Sequence, residues 1–382
     1  MGFLIKRTLT YLSIIIIITG CAKSLIKIIS NTDEDSYPMF GKTTSKNFFV
    51  PVTVSDSLKL KWESDVYGSF TNSSVVIYDK YVFTSDLGGR IFVFNIEDGK
   101  RVGLLKIGET IPGTPLVFKS LIIYATAEDK NNISELVYYD YANGKQLYYE
   151  EIDSRILSEM IALDDGIIFL TESGRINRYD LIGNSIWQTE TNNRTRSSPS
   201  LINNTVVFGN DAGEVITINA KNGKINNRFH IGGIFNGSPT IVNNSAIFSN
   251  NNGKVYSIDY GTGKINWEYD TRERVVMTPA SDNENIYVGN LEGSLFSLSK
   301  ESGKLNWMRN YNGLFNATPL ITNYRIIIPD LDKAFYIIDK NNGIIKNKYS
   351  LDARAKLTPV FADSTLFIGY DRGILRAYEF IY

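Results

Sequence analysis

Two side chains are the only ones of their kind in this chain, Cys21 and His230, and both limit the chemistry it can do. One cysteine cannot form an intramolecular disulfide, and one histidine rules out a multi-histidine metal site. His230 follows a strand-like run, where an exposed turn residue is expected rather than the base of a triad. No HExxH, GxSxG or CxxC motif occurs, nor any glycine loop that would cradle a phosphate. Carboxylates do recur in register: Asn95, Asp140, Asn219, Asp259, Ser299 and Asp339 each stand four residues before a Gly, and Asp180 three before. A ring of acids suggests a metal. Asp, Asn and Ser together, each at the end of a strand, instead suggest acceptors for the backbone N–H groups of a turn. No catalytic residue, metal ligand or cofactor is therefore assigned.

The elements that set this register are repeats. Pro199, Pro239, Pro279, Pro319 and Pro359 are each forty residues apart, and Gly213, Gly253, Gly293 and Gly373 keep the same step. A second glycine, usually followed by lysine, stands at Gly223, Gly263, Gly303 and Gly343. From Ser238 one unit reads SPTIV, NSAIF, KVYSID and KINWEY, four short β-branched runs separated by Asn, Gly, Asp and Ser. A lone four-stranded meander cannot bury both faces. Units of this size must pack on one another, as the blades of a β-propeller do.

Stepping the second glycine back gives Gly183, Gly144 and Gly99, so the register covers the body of the chain. The last unit stops before its fourth strand. The run LKLKWESD, residues 58–65, has the pattern of that strand and no partners of its own, so it is expected to complete the last blade and close the ring. The expectation is an all-β, eight-bladed propeller over residues 58–382.

Composition is globular: 43% apolar and 21% charged, with a formal net charge of −1. Such a balance gives no field to attract nucleic acid. The first residues differ. Lys6 and Arg7 precede an apolar run over residues 9–18, then Thr19, Gly20 and Cys21, the layout of a secretory signal over residues 1–20. Ile18-Thr19-Gly20-Cys21 resembles the lipobox of bacterial lipoproteins, which implies acylation of Cys21. In that resemblance Ala22, where an Asp would favour inner-membrane retention, implies the outer membrane, facing the periplasm. Residues 21–57 show no repeat register and are read as the lipidated tether, with the apolar patch at residues 25–29 as an alternative docked segment.

The phrase Gly-Lys-x-x-Trp at Trp267 and Trp307, echoed at Trp187 and Trp62, resembles the tryptophan-docking repeat of quinoprotein-type (PQQ-like) propellers. That resemblance implies indoles packed between blades. Two groups share it, the pyrroloquinoline-quinone dehydrogenases and the propeller lipoproteins of the β-barrel assembly machinery. The enzymes are longer, and many carry a vicinal Cys pair that this chain lacks. The lipoprotein resemblance implies a non-catalytic scaffold that binds the periplasmic domains of the barrel-inserting subunit and helps assemble unfolded outer-membrane proteins. It also implies a partner surface on the loops leading into the central strands, with Arg194, Arg196, Phe235 and Asn236 as the counterpart residues. A dehydrogenase-like enzyme and an adaptor of unrelated role are the alternatives.

Overall fold

The computed structural model describes residues 25–30 and 37–382. Cys21 and the signal segment lie outside the described residues. Among the described residues eight four-stranded antiparallel sheets follow one another. They span residues 76–106, 116–152, 161–190, 200–230, 240–270, 280–310 and 320–350, with residues 360–381 in the eighth. These are blades 1 to 8. In blade 5 the strands are Thr240–Val242, Ser245–Ser249, Lys254–Asp259 and Ile265–Asp270, from the channel outwards.

The burial of each strand explains its sequence. The two middle strands of a blade are packed on both faces by its neighbours, so they read as near-continuous apolar runs. The outer strand alternates, with Trp267 turned inwards. A bulge in its pairing, between Ser257 and Ile258, sets that orientation and recurs in the other blades. Tight hairpins join the strands. Asn203 and Asn204 both take positive φ, as a two-residue turn of the hairpin type demands.

The ring closes as the sequence implies. Ser57–Asp65 pairs antiparallel with Ile374–Ile381, from Ser57 opposite Ile381 to Asp65 opposite Ile374. Arg376 Nε lies 2.6 Å from Glu63 Oε2 across this seam.

The stretch ahead of that strand is built into the propeller. The reading of residues 21–57 as a tether does not describe residues 37–56, which cross the channel end along the blades' innermost strands. Tyr37 bridges Ile77 of blade 1, and the Pro38 carbonyl accepts from Val117 N of blade 2 at 3.2 Å. The carbonyls of Thr44, Ser45, Asn47 and Phe48 accept from Leu201, Ile241, Ser281 and Ile321, on blades 4 to 7, at 2.8–2.9 Å. The cause is the channel itself. Innermost strands leave N–H groups unpaired on their channel side, and burying those without a partner is costly.

Residues 25–28 are docked as well. Ile26 and Ile28 are buried between blades 1 and 2. The Ile26 carbonyl accepts from Tyr139 Oη at 2.9 Å, and Ile28 N donates to the Tyr141 carbonyl at 3.0 Å.

Candidate functional site

Contacts between blades account for most of the repeated residues. Each indole N–H donates to a backbone carbonyl of the next blade: Trp62 to Ile96, Trp187 to Ala220, Trp267 to Lys300 and Trp307 to Lys340, at 2.8–2.9 Å. The rings rest on Gly99, Gly223, Gly303 and Gly343, where an added Cβ would come within 2.6–2.7 Å of the indole. Where Trp is absent, another group fills the space. Tyr148 covers Gly183, and Phe229 covers Gly263 from two positions beyond Asn227, which holds the Trp register. In blade 1 that register holds Gly103, and Ile26 of the N-terminal segment lies over it.

The in-register acids shape turns. Asp259 Oδ1 accepts from Gly261 N and Thr262 N, and Asp140 and Asn219 do the same in their blades. The Thr262 N–H holds the Asp259 carboxyl below the usual carboxylate range. Among the described residues no cluster of three or more His, Cys, Asp or Glu side chains is placed to hold a metal ion. His230 is the exposed last residue of its strand.

The loops leading into the innermost strands form a rim around one end of the channel. Arg194 pairs with Glu172, and Arg196 Nη2 lies 2.9 Å from Asp211 Oδ2. Arg155 Nη2 reaches the same Glu172 at 2.6 Å. The acids lie beneath, with side chains 8% and 16% exposed, while those of Arg194 and Arg196 are 57% and 41% exposed. The guanidinium groups therefore form the surface, anchored but still able to meet a partner's carboxylates.

Phe235 does not join that surface. It is completely buried, its ring centroid 5.0 Å from that of Phe248, and it fills the space left by Gly209. A loop that alternates out, in, out sends its middle residue inwards. Thr195, Val275, Phe315 and Ala355, in the same register, are buried likewise. Asn236 is half-buried and bonded to Asn251. The sequence reading missed the rest of the rim. Arg155, Arg274 and Arg354 share the register of Arg194, five residues before the Pro or its Met160 replacement, and that spacing is a signal the sequence carries. Arg354 repeats the arrangement, 2.9 Å from Asp371.

Inside the rim is a cavity of about 230 Å³, lined by Asn72, Glu159, Asn236 and Asn316 among others, with Phe40 of the N-terminal segment at its base. Lys46 reaches into the same region. Its Nζ donates to the Pro199 carbonyl at 2.7 Å and to Ser238 Oγ at 3.1 Å. Glu159 Oε2 accepts from Thr114 N at 2.9 Å. Burial pulls the Lys46 ammonium down to about 7, against the attraction of Glu159. The Glu159 carboxyl is pushed up by its own burial, with Lys46 opposing.

These repeats match the sequence model of the family described as outer membrane protein assembly factor BamB, over residues 131–290 and 251–380. The chain belongs to that family. No curated protein sequence matches the chain. Among solved structures, BamB from Moraxella catarrhalis is similar with a TM-score of 0.72 at 17% identity, over 85% of this chain and 100% of that one. The quinohemoprotein alcohol dehydrogenase from Comamonas testosteroni is similar with a TM-score of 0.75 at 10% identity, over 91% of this chain and 81% of that one. A computationally designed protein, Ika8, gives 0.73 at 12% identity, over 85% and 100%. At such identities the likeness is one of fold.

The fold shared with dehydrogenases invites a test of the channel for a quinone and its metal ion. In this BamB-family chain the cavity lining carries one carboxylate, Glu159, bonded to Thr114 N, and the ammonium of Lys46 lies nearby. A cation would meet one acid and a competing positive charge. The donor set does not fit.

Proposed function

We propose that this BamB-family propeller is a non-catalytic scaffold lipoprotein of the outer-membrane β-barrel assembly machinery. It is anchored through acylated Cys21 to the outer membrane and faces the periplasm. Its arginine rim binds the periplasmic domains of the barrel-inserting subunit, and through that contact it assists insertion of outer-membrane β-barrel proteins.

The observation that carries this reading is the rim within a propeller of this family. Exposed guanidinium groups held on largely buried acids supply an anchored, arginine-bearing surface, and arginine is among the residue types enriched at binding hot spots. The channel supports a scaffold over an enzyme, since the chain's own residues 37–56 line its far end and its donor set suits no metal-assisted step.

A photoreactive residue in place of Arg194, followed by crosslinking in native outer membranes and mass spectrometry, tests it. Recovery of the barrel-inserting subunit through its periplasmic domains is expected. Crosslinks only to other proteins would remove the assembly reading.

A further inference from the structure

The docked residues 25–28 fix where an anchor can leave the propeller. Ile26 stands in for the inter-blade tryptophan that blade 1 lacks, with its Cγ1 2.9 Å from the position a Cβ on Gly103 would take. Leu25 and Lys27 cover Gly144, the glycine of blade 2 that such a tryptophan would meet. Tyr139 and Tyr141 hold the backbone. The segment is thus pinned at the outer edge where blades 1 and 2 meet.

From this placement we infer that the edge between blades 1 and 2 is the face turned to the lipid bilayer, an inference resting on the acylation of Cys21 proposed above. Four peptide units separate Cys21 from Leu25, and an extended chain spans at most about 3.6 Å per residue, or about 14 Å in all. An acylated residue lies at the headgroup boundary. The blade 1–2 edge is held within that distance of it.

The surface there suits such a neighbour. Leu25 and Ile29 of the N-terminal segment are exposed, as are Val102 and Leu147 on the outer strands of blades 1 and 2, together with Lys27 of the segment and Lys145 of the blade 2 strand. Apolar side chains among basic ones suit an anionic membrane interface. Glu151, further along the blade 2 strand, is an opposing charge on the same edge. Ile265 and Leu305, on the outer strands of blades 5 and 6, are exposed to a similar degree but lie on the opposite side of the eight-bladed ring, beyond the reach of the anchor. Held by its edge, the propeller leaves the arginine rim open to a partner beside it.

The test uses the full chain, processed in cells and reconstituted into vesicles of phosphatidylethanolamine and phosphatidylglycerol. A photoreactive residue replaces Leu147 in one protein and Leu305 in another, and lipid adducts are quantified by mass spectrometry. Several-fold more adduct at 147 than at 305 is expected. A flexible Gly/Ser insertion of about twenty residues after Lys23, with ends about 25 Å apart on average, should bring the two to parity without disturbing the docked segment. Equal labelling on an acylated protein without the insertion overturns the inference alone. A preference that survives the insertion overturns the claim that the short reach sets the face. An N-terminal peptide without acyl chains overturns the anchoring reading, and the inference falls with it.

Discussion

Trp267 of blade 5 lies on Gly303 of blade 6, so near that a Cβ on Gly303 would come within 2.6 Å of the indole. Gly303 also holds φ at 67°, where side chains other than glycine's are strained. Gly303→Ala should cost about 2–4 kcal/mol from strain and overpacking together. Trp267→Ala should cost about 3–5 kcal/mol by leaving a cavity. The double variant should lose less than the sum, because removing the indole relieves the clash. Urea denaturation of the four proteins measures it, and strict additivity would separate the two residues.

Lys46 makes stability depend on pH in a stated direction. Its folded pKa is about 7 against an ordinary 10.5, so between those values the unfolded chain binds a proton that the folded chain does not. Stability from this group therefore rises with pH across that window, and below pH 7 the full cost of burying the charge is present. Glu159, pushed up by burial, acts in the opposite sense: its contribution is lost as pH rises through its raised folded value. Relative to Lys46→Met, the parent chain should gain stability from pH 7 to pH 10. A difference that stays flat would mean Lys46 is solvated.

The rim and the residue beneath it should separate cleanly. Arg196→Ala removes a partly exposed ion pair and should change stability by less than about 1 kcal/mol, yet, on the function proposed above, weaken binding to the periplasmic domains of the proposed partner by about tenfold. Phe235→Ala should do the reverse, costing about 3–5 kcal/mol of stability because the ring is wholly buried. Melting curves and titration calorimetry on both variants decide between these roles. Equal loss of binding in a folded Phe235→Ala protein would put Phe235 back on the surface.

The propeller was legible in the sequence because its cause is periodic. Glycines that accept an indole, prolines before the innermost strands and Asx turns recur at one spacing, and each is a local necessity of one blade. The closing strand was legible because its Trp62 line lacked partners while the last blade lacked a strand. The apolar patch at residues 25–29 offered docking as an alternative, but the course of residues 37–56 was not legible. Residues 37–56 satisfy the innermost strands of successive blades, a requirement set by the assembled channel, and none of their own spacing records it. Ile26 is intermediate: Gly103 in the Trp register marks a vacancy, but nothing local to residues 25–28 says they fill it. Phe235 was misplaced because loop composition does not reveal which residue of an alternating loop turns inwards.

The last prediction concerns closure. Ile374–Ile381 packs inwards through Leu375, Ala377 and Tyr378, and takes its outer partner from residues more than three hundred positions away. Starting the chain at Val66 would leave that strand as an open edge and also strip the channel end of residues 37–56. An unpaired edge with buried apolar residues on its inner face pairs with other chains. The truncated chain should therefore form soluble oligomers or aggregate, and unfold at a lower urea concentration than the full chain. Residues 37–65 added as a separate peptide should restore a monomer by rebuilding the fourth strand, as strand addition does elsewhere. Size-exclusion chromatography with light scattering reads the outcome. A truncated chain that stays monomeric with an unchanged urea midpoint would show that the seven complete blades hold the ring without their seam.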